Sequence, residues 1–378
     1  MKRWCFLMAV AVLFFTCKEP YNPPVASPVT GYLVVEGFIN SGNGTSTITL
    51  TRTTKLVDSV ATVYEEDAQV NIEDENGTSY PVSWKNNGTY ISDSLSLNPA
   101  DKYRLHIKTL NGSEYVSDFT AVKSTPPIDS ISWRLENGGV QIYVNSHDPS
   151  NLTKYYQLKY SETWEFHSPF IKRLEYIKDS ATGLIVGVAL LGTADTSIYK
   201  CWRTQNPSSI ILISTEKLSE SKVYHPIRYI EPKGDELSVL YYIEVKQYAL
   251  SHEAYLFMQK LKKNTEQLGS IFDAQPSELG GNIHNVNNPA EQVIGFVDVT
   301  GEQVSKLFIS NNQVNDWPPH IPCTQVALAN EPGSYDPDLI PTSVKEWMGL
   351  SIKSFFAADP ICVDCRLRGT NVRPPFWP

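Results

Sequence analysis

The sequence predicts a mainly β protein built as two β-sandwich domains, the second carrying an inserted α-helix and a C-terminal tail tied down by disulfides. Three observations lead there. Apolar residues alternate with polar ones in short runs, Leu33 and Val35, Ile48 and Leu50, Val70 and Ile72, then Tyr103, Leu105 and Ile107, which is the period of a strand with one buried face. Turn signals at Asn76-Gly77, Asn87-Gly88, Pro99 and Asn111-Gly112 separate the runs, and turns recurring every ~10 residues mark a sandwich. Charged residues are only 19% of the chain while aromatics reach 11%, against ~25% charged in an average soluble protein. At 378 residues the chain exceeds one domain of roughly 150 residues.

The amino terminus comes first in chain order. Lys2 and Arg3 precede an apolar run from Phe6 to Phe15, the length of a signal-peptide core and short of the ~20 residues of a membrane helix. Thr16 then leads into Cys17, Lys18 and Glu19. This stretch resembles a bacterial lipobox, so residues 1–16 are expected to be a lipoprotein signal peptide, Cys17 the lipidated first residue, and residues 17–30, with Pro20, Pro23, Pro24 and Pro28, a stiff tether. The Lys-Glu pair after Cys17 resembles a surface-export signal, which places the protein on the outer face of a cell outer membrane. Loss of Lys2 and Arg3 takes the net charge from −9 to −11, so attachment rests on acyl chains and not on attraction to anionic lipid. The acidic balance and the lack of a Lys/Arg run argue against nucleic acid.

Residues 31–122 form the expected N-terminal sandwich, its last hairpin turning at Asn111-Gly112 between KYRLHIKT and SEYVSDFT. The order GYLVVEGFI, AQVNIEDENG, GTYISDSLSLNPADKYRLHI resembles transthyretin-like or carboxypeptidase-regulatory-like modules. Pro126-Pro127 closes a linker at residues 123–127, because consecutive prolines refuse both helix and ladder bonding. Residues 128–378 are the larger β-rich domain. Its opening runs ISWRL, GVQIYVN and TKYYQLKYSETWEF, with a turn at Asn137-Gly138, resemble an immunoglobulin- or fibronectin-type sandwich. Later strands are expected near residues 184–191, 210–213, 237–249, 293–299 and 305–310. A helix is expected over about 252–268, capped by Ser251 and ended by Gly269, with Glu253 at its positive end and Lys260, Lys262 and Lys263 toward its negative end. Tyr255, Met258, Leu261 and Leu268 give it one apolar stripe.

Of six cysteines, Cys5 leaves with the signal and Cys17 carries lipid. Cys201, Cys323, Cys362 and Cys365 remain as disulfide candidates, and four cysteines allow three pairings. A bridge from the tail to the body, anchored at Cys201 or Cys323, is the favoured arrangement. The Cys362-Val-Asp-Cys365 spacing also fits half a zinc site or a redox motif, yet two further ligands and a thioredoxin-like setting are lacking.

The sequence offers no GxSxG, HExxH, Walker or GxGxxG motif. No catalytic residue, metal or cofactor is therefore expected. The densest acid and imidazole grouping, His147, Asp148, Glu162, Glu165 and His167, reads as edge residues of different strands ahead of a cation site. Trp164, Phe166, Trp202, Trp317 and Trp347 read as core ahead of stacking platforms for sugar or peptide. The candidate recognition loop is Gly280, Gly281, Asn282, His284 and Asn285, where glycines permit backbone approach and Asn and His supply donors and acceptors; a tight turn into the 293 strand explains it as well.

Taken together, CKEPYNPP, LVVEGFIN, TPPIDSISW, YSETWEF, VKQYALSHEAYLFMQKLKKNTEQLGSIFDAQPSELGGNIHNV, VIGFVDV and CVDCRLRGTNVRPPFW resemble the Bacteroidota outer-membrane lipoproteins grouped as domain of unknown function 4249. The resemblance implies a lipid-anchored protein whose gene sits beside a TonB-dependent transporter, and it implies no activity and no catalytic residues. The expected function is that of a non-enzymatic surface lipoprotein, a lid or capture partner of such a transporter. The alternative is an independent glycan- or peptide-binding protein or hydrolase at the cell surface.

Overall fold

The computed structural model describes residues 31–54, 62–266, 279–314, 317 and 322–378. The signal peptide, Cys17, the tether, Leu268, Gly269 and His320 lie outside the described residues. The protein is mainly β with one α-helix among the described residues. The first half holds β1 (Leu33–Gly37), β2 (Ile39–Asn40), β3 (Thr45–Arg52), β4 (Val63–Tyr64), β5 (Gln69–Asp74), β6 (Ser79–Asn86), β7 (Thr89–Ser94), β8 (Lys102–Lys108), β9 (Glu114–Ser117) and β10 (Thr120–Ala121). After the double proline come β11 (Ile128–Glu136), β12 (Gly139–His147), β13 (Tyr155–His167), β14 (Lys172–Lys178), β15 (Ile185–Asp195), β16 (Lys200–Gln205), β17 (Ile211–Ser214), β18 (Lys222–Ile230) and β19 (Leu240–Ala249). Helix α1 (His252–Glu266) follows, then β20 (Ile283–Asn285), β21 (Val299–Thr300), β22 (Glu302–Ser310), β23 (Val326–Ala329), β24 (Ile340–Met348) and β25 (Ser351–Ala358).

The N-terminal strands form one continuous ladder in the order β1-β3-β7-β6-β5-β8-β9-β20, with β4 on β3 and β10 on β8. Its inward residues, among them Leu33, Ile48, Leu50, Ile72, Tyr90, Leu105, Ile107 and Tyr115, share one core. The sheet curls on itself, since Arg52 of β3 reaches the Tyr115 hydroxyl of β9 at 3.4 Å. The Asn87-Gly88 turn follows the expected chemistry, with φ of 46° and 63°, the left-handed pair that a tight hairpin requires. On the solvent face, His106 lies between Glu73 and Glu114 at 2.6 Å from each. Burial pushes the Glu73 carboxyl up, but hydrogen bonds from His106 and Arg104 outweigh it and hold its pKa low.

One expectation changes here. Residues 283–300, which follow the double proline by more than a hundred positions and were expected to belong to the second domain, complete the first. Ile283, Val293, Val297 and Val299 are buried in the N-terminal core. Strand β20 pairs antiparallel with β9 at one edge of the sheet. At the other edge, Val35 N donates to Ile294 O at 2.8 Å, and β21 runs parallel to β2. The expected strand at 293–299 is therefore reduced to a bridge at Ile294 and a ladder from Val299. Gly295, at φ +149° and too close to Val35 O to carry a Cβ, lies between them and breaks the extended conformation.

The second half contains a sandwich. Sheet β11-β12-β18 faces sheet β16-β13-β19-β22, with β17 also on β13, and Val140, Ile142, Leu158, Trp164, Tyr241, Ile243 and Ile309 fill the space between. Glu162 enters this core at 1% exposure, held by Arg228 Nε at 2.8 Å and by the Tyr241 hydroxyl at 2.7 Å. Burial and the Glu162 charge both drive the Tyr241 pKa up. Two distant stretches build a further unit: hairpin β14–β15 packs on sheet β23-β25-β24 around Leu174, Val188, Phe355 and Ala357.

Helix α1 is capped as expected, with Ala254 N donating to Ser251 Oγ at 3.1 Å. Its buried stripe centres on Ala254 and Phe257, while Tyr255, Met258 and Leu261 are only half-buried. Both tail disulfides use the two upstream cysteines as anchors, one each: Cys201–Cys365 and Cys323–Cys362. The tail then lies on the sandwich, where Thr370 and Trp202 exchange two backbone hydrogen bonds and Trp377 Nε1 donates to Glu165 Oε2 at 3.0 Å.

Candidate functional site

A cleft of about 770 Å³ opens where the first half meets the second. Its walls are the β1 edge from Val34 to Phe38, strands β13 and β19 at Gln157, Lys159, Tyr248 and Leu250, helix α1 at Phe257, Met258 and Leu261, and the turn at Ile294–Phe296. Each wall has a local cause. The strands present every second side chain to it, α1 presents the half-buried flank of its stripe, and Gly295, at φ +149°, allows the turn its close approach to β1. Volumes of ~300–1,000 Å³ with apolar walls and a few polar groups are those of ligand sites.

Four acidic or basic side chains line this largely apolar space, Glu36, Lys159, Glu266 and Asp298; Glu266 accepts from Ile210 N at 2.6 Å and lies 3.8 Å from Lys262. Lys159 takes part in no ion pair or hydrogen bond among the described residues, and its nearest marked contact is the Tyr248 ring, 5.9 Å from Nζ. Phe38 packs on that ring at 4.5 Å. Water reaches Lys159, yet protein surrounds it on the wider scale, and this enclosure pulls its pKa down. Glu36, the nearest opposing charge, is likewise without an ion pair among the described residues. The neighbouring charges are spoken for: Lys246 Nζ meets Glu302 at 3.1 Å and the Tyr248 hydroxyl donates to the same carboxylate at 2.6 Å. Asp298, at the cleft wall, accepts from Ser251 N at 2.7 Å and from Val299 N at 3.1 Å; burial raises its pKa in spite of these bonds.

The expected recognition loop has a different part. Asn282 is buried, and its amide both accepts from and donates to Val297 at 2.9 Å, standing in for a strand partner. Asn285 is buried as well, donating to Glu291 at 2.6 Å and accepting from Asn287 N and Asn288 N. Gly281 sits against the Gly295 backbone so closely that a Cβ would meet the carbonyl oxygen. Only Gly280, Gly281 and Asn282 border a second, shallower hollow of about 560 Å³, and His284 stands outside it, exposed and paired with Asp118 at 3.2 Å. Of its two glycines, Gly281 serves chain packing, whereas a Cβ at Gly280 would meet no neighbour.

The acid and imidazole grouping is dispersed. His147 bonds Asp129 at 2.7 Å. Asp148 caps its own loop: partial burial raises its pKa, but bonds from Ser150 and Thr153 outweigh this and hold it to about 2. Glu165 takes Lys200, His167 and Trp377, on the face of β13 opposite Glu162. Among the described residues no group of three or more His, Cys, Asp or Glu is placed to hold a metal ion. Trp164, Phe166, Trp202 and Trp317 are core residues, whereas Trp347 is half exposed. The sequence pointed to the 280–285 loop and passed over Lys159 and Glu36, which look like ordinary solvent-facing positions of alternating strands; nothing local reveals that a helix and a foreign strand wall them in.

A solved chain described as the complete structure of manganese lipoxygenase of Gaeumannomyces graminis and partial structure of zonadhesin of Komagataella pastoris is 9% identical, with 59% of this chain and 90% of that chain covered and a TM-score of 0.17. That score carries no argument about the fold. No curated protein matches the chain. The model of the domain of unknown function DUF4249 matches residues 18–306, a span that runs through the curled sheet, the sandwich, α1 and the returning segment. The chain belongs to the DUF4249 family.

Proposed function

We propose that the protein is a non-enzymatic, lipid-anchored lipoprotein of the bacterial outer-membrane surface that serves as a lid or capture partner of a TonB-dependent transporter. The observation that carries this reading is an apolar arm. At the β24–β25 turn, Trp347 and Met348 are exposed and Leu350 is fully so, and the adjoining β14–β15 hairpin adds Leu184, Val186 and Leu190. Exposed apolar groups on two hairpins that pack on one another mark a protein contact more than a catalytic surface. The dispersal of the acid and imidazole residues into structural bonds supports the non-enzymatic part. No helix among the described residues is long and apolar enough to cross a membrane, and the proposed attachment is through acylated Cys17.

Affinity purification of the full lipidated chain in mild detergent is expected to recover a β-barrel protein, and Trp347→Ser with Leu350→Asp is expected to cut that recovery at least about fivefold, the effect of losing anchors worth ~1 kcal/mol or more. Recovery of no barrel protein overturns the reading. Undiminished recovery with the arm variant overturns the role of the arm. In the same preparations Cys17→Ser is expected to abolish palmitate labelling; a labelled Cys17→Ser protein retained in the membrane removes the anchor from the proposal.

A further inference from the structure

The cleft between β1, β13, β19 and α1 contains one cation and one anion that do not pair with each other or with any other described residue. Both side chains still meet water and so are open to a partner from solution, whereas the surrounding groups are already paired, Lys246 and Tyr248 with Glu302 and Glu266 with Lys262. The apolar walls at Phe38, Leu250, Phe257, Met258 and Phe296 offer contact to apolar side chains of whatever the two charges hold. A single amino acid would leave most of the ~770 Å³ unfilled. We propose that the cleft binds a short apolar peptide with free ends, its carboxylate meeting Lys159, its ammonium meeting Glu36 and its side chains lying along α1. The proposal stands apart from the transporter reading, because it needs only the purified chain.

Calorimetric titration with trileucine, N-acetyl-trileucine and trileucine amide tests it. Trileucine is expected to bind, and blocking either end is expected to raise Kd about tenfold or more, since hydrogen bonds to charged groups contribute ~1.5–3 kcal/mol. In Lys159→Met the free acid and the amide are expected to bind alike while acetylation still weakens binding. In Glu36→Gln the pattern reverses. Neither substitution removes an ion pair between described residues, so both variants are expected to keep the parent thermal midpoint. Absence of saturable trileucine binding overturns the proposal. So does indifference to both blocks, and so does N-acetyl-trileucine binding as well as the free peptide, which would make the site one for simple organic anions. Failure here with barrel recovery intact removes the peptide site alone.

Discussion

Removing the Cys201–Cys365 bridge, as Cys201→Ala with Cys365→Ala, is expected to cost about 5 kcal/mol, the chain-entropy value for a loop of this length. The bridge spans 164 positions, whereas Cys323–Cys362 spans 39 and is expected to contribute about 4 kcal/mol. Both cysteines of the longer bridge are fully buried in or beside the sandwich core. Its loss also loosens the tail whose Trp377 packs with Trp202 and Tyr242. Denaturant titration should rank the double variants in that order, and limited proteolysis of the Cys201/Cys365 variant should begin within residues 366–378. Equal midpoints for parent and variant, with the tail still protected, would show that packing alone fixes the tail.

Arg228→Met is expected to be nearly as damaging, at about 3–5 kcal/mol, because it strands a charge inside the sandwich. Glu162 would keep only the Tyr241 hydroxyl, and Glu236 would lose its contact to Arg228 at 3.2 Å. Burial lowers the Arg228 pKa, but the Glu162 carboxylate outweighs it and the guanidinium stays charged. The sharper test is the double variant Arg228→Met with Glu162→Leu. An apolar pair in place of a buried ion pair is often close to neutral, so the second substitution should restore most of what the first removes. A single variant within about 1 kcal/mol of the parent would mean that water reaches Glu162 after all.

The sequence disclosed strands wherever pairing partners are close along the chain. KYRLHIKT and SEYVSDFT became β8 and β9, with His106 opposite Val116, and Asn137-Gly138 turned β11 into β12 with φ of 49° and 80°. Such hairpins are written in a few neighbouring residues, whereas long-range partners are not. VIGFVDV reads like a strand, yet its ladder contacts fall at its two ends only, with Val34 and Ile39 more than two hundred positions earlier and with Lys123. The unit formed by β14–β15 and β23–β25 stayed hidden for the same reason, and register shifts between β24 and β25 blur its alternation further. Cysteine spacing named the four partners and left three pairings open; of the two that use both anchors, the fold chose Cys201 with Cys365 and Cys323 with Cys362. At the cleft, Lys159 lies on the face of β13 away from Leu158 and the sandwich core, and only the arrival of β1 and α1 opposite turns that face into a wall.

The returning segment also sets a clock. Strands β1 to β10 leave the ribosome first, but their sheet keeps an unpaired edge at β9 and an incomplete one at β1 until residues 283–300 have followed. Non-local closure of this kind is slow, and open strand edges are where separate copies of a chain join. A chain stopped before residue 300 would therefore hold a nearly complete first half with both seams open. The step that finishes the first half is made by residues of the second.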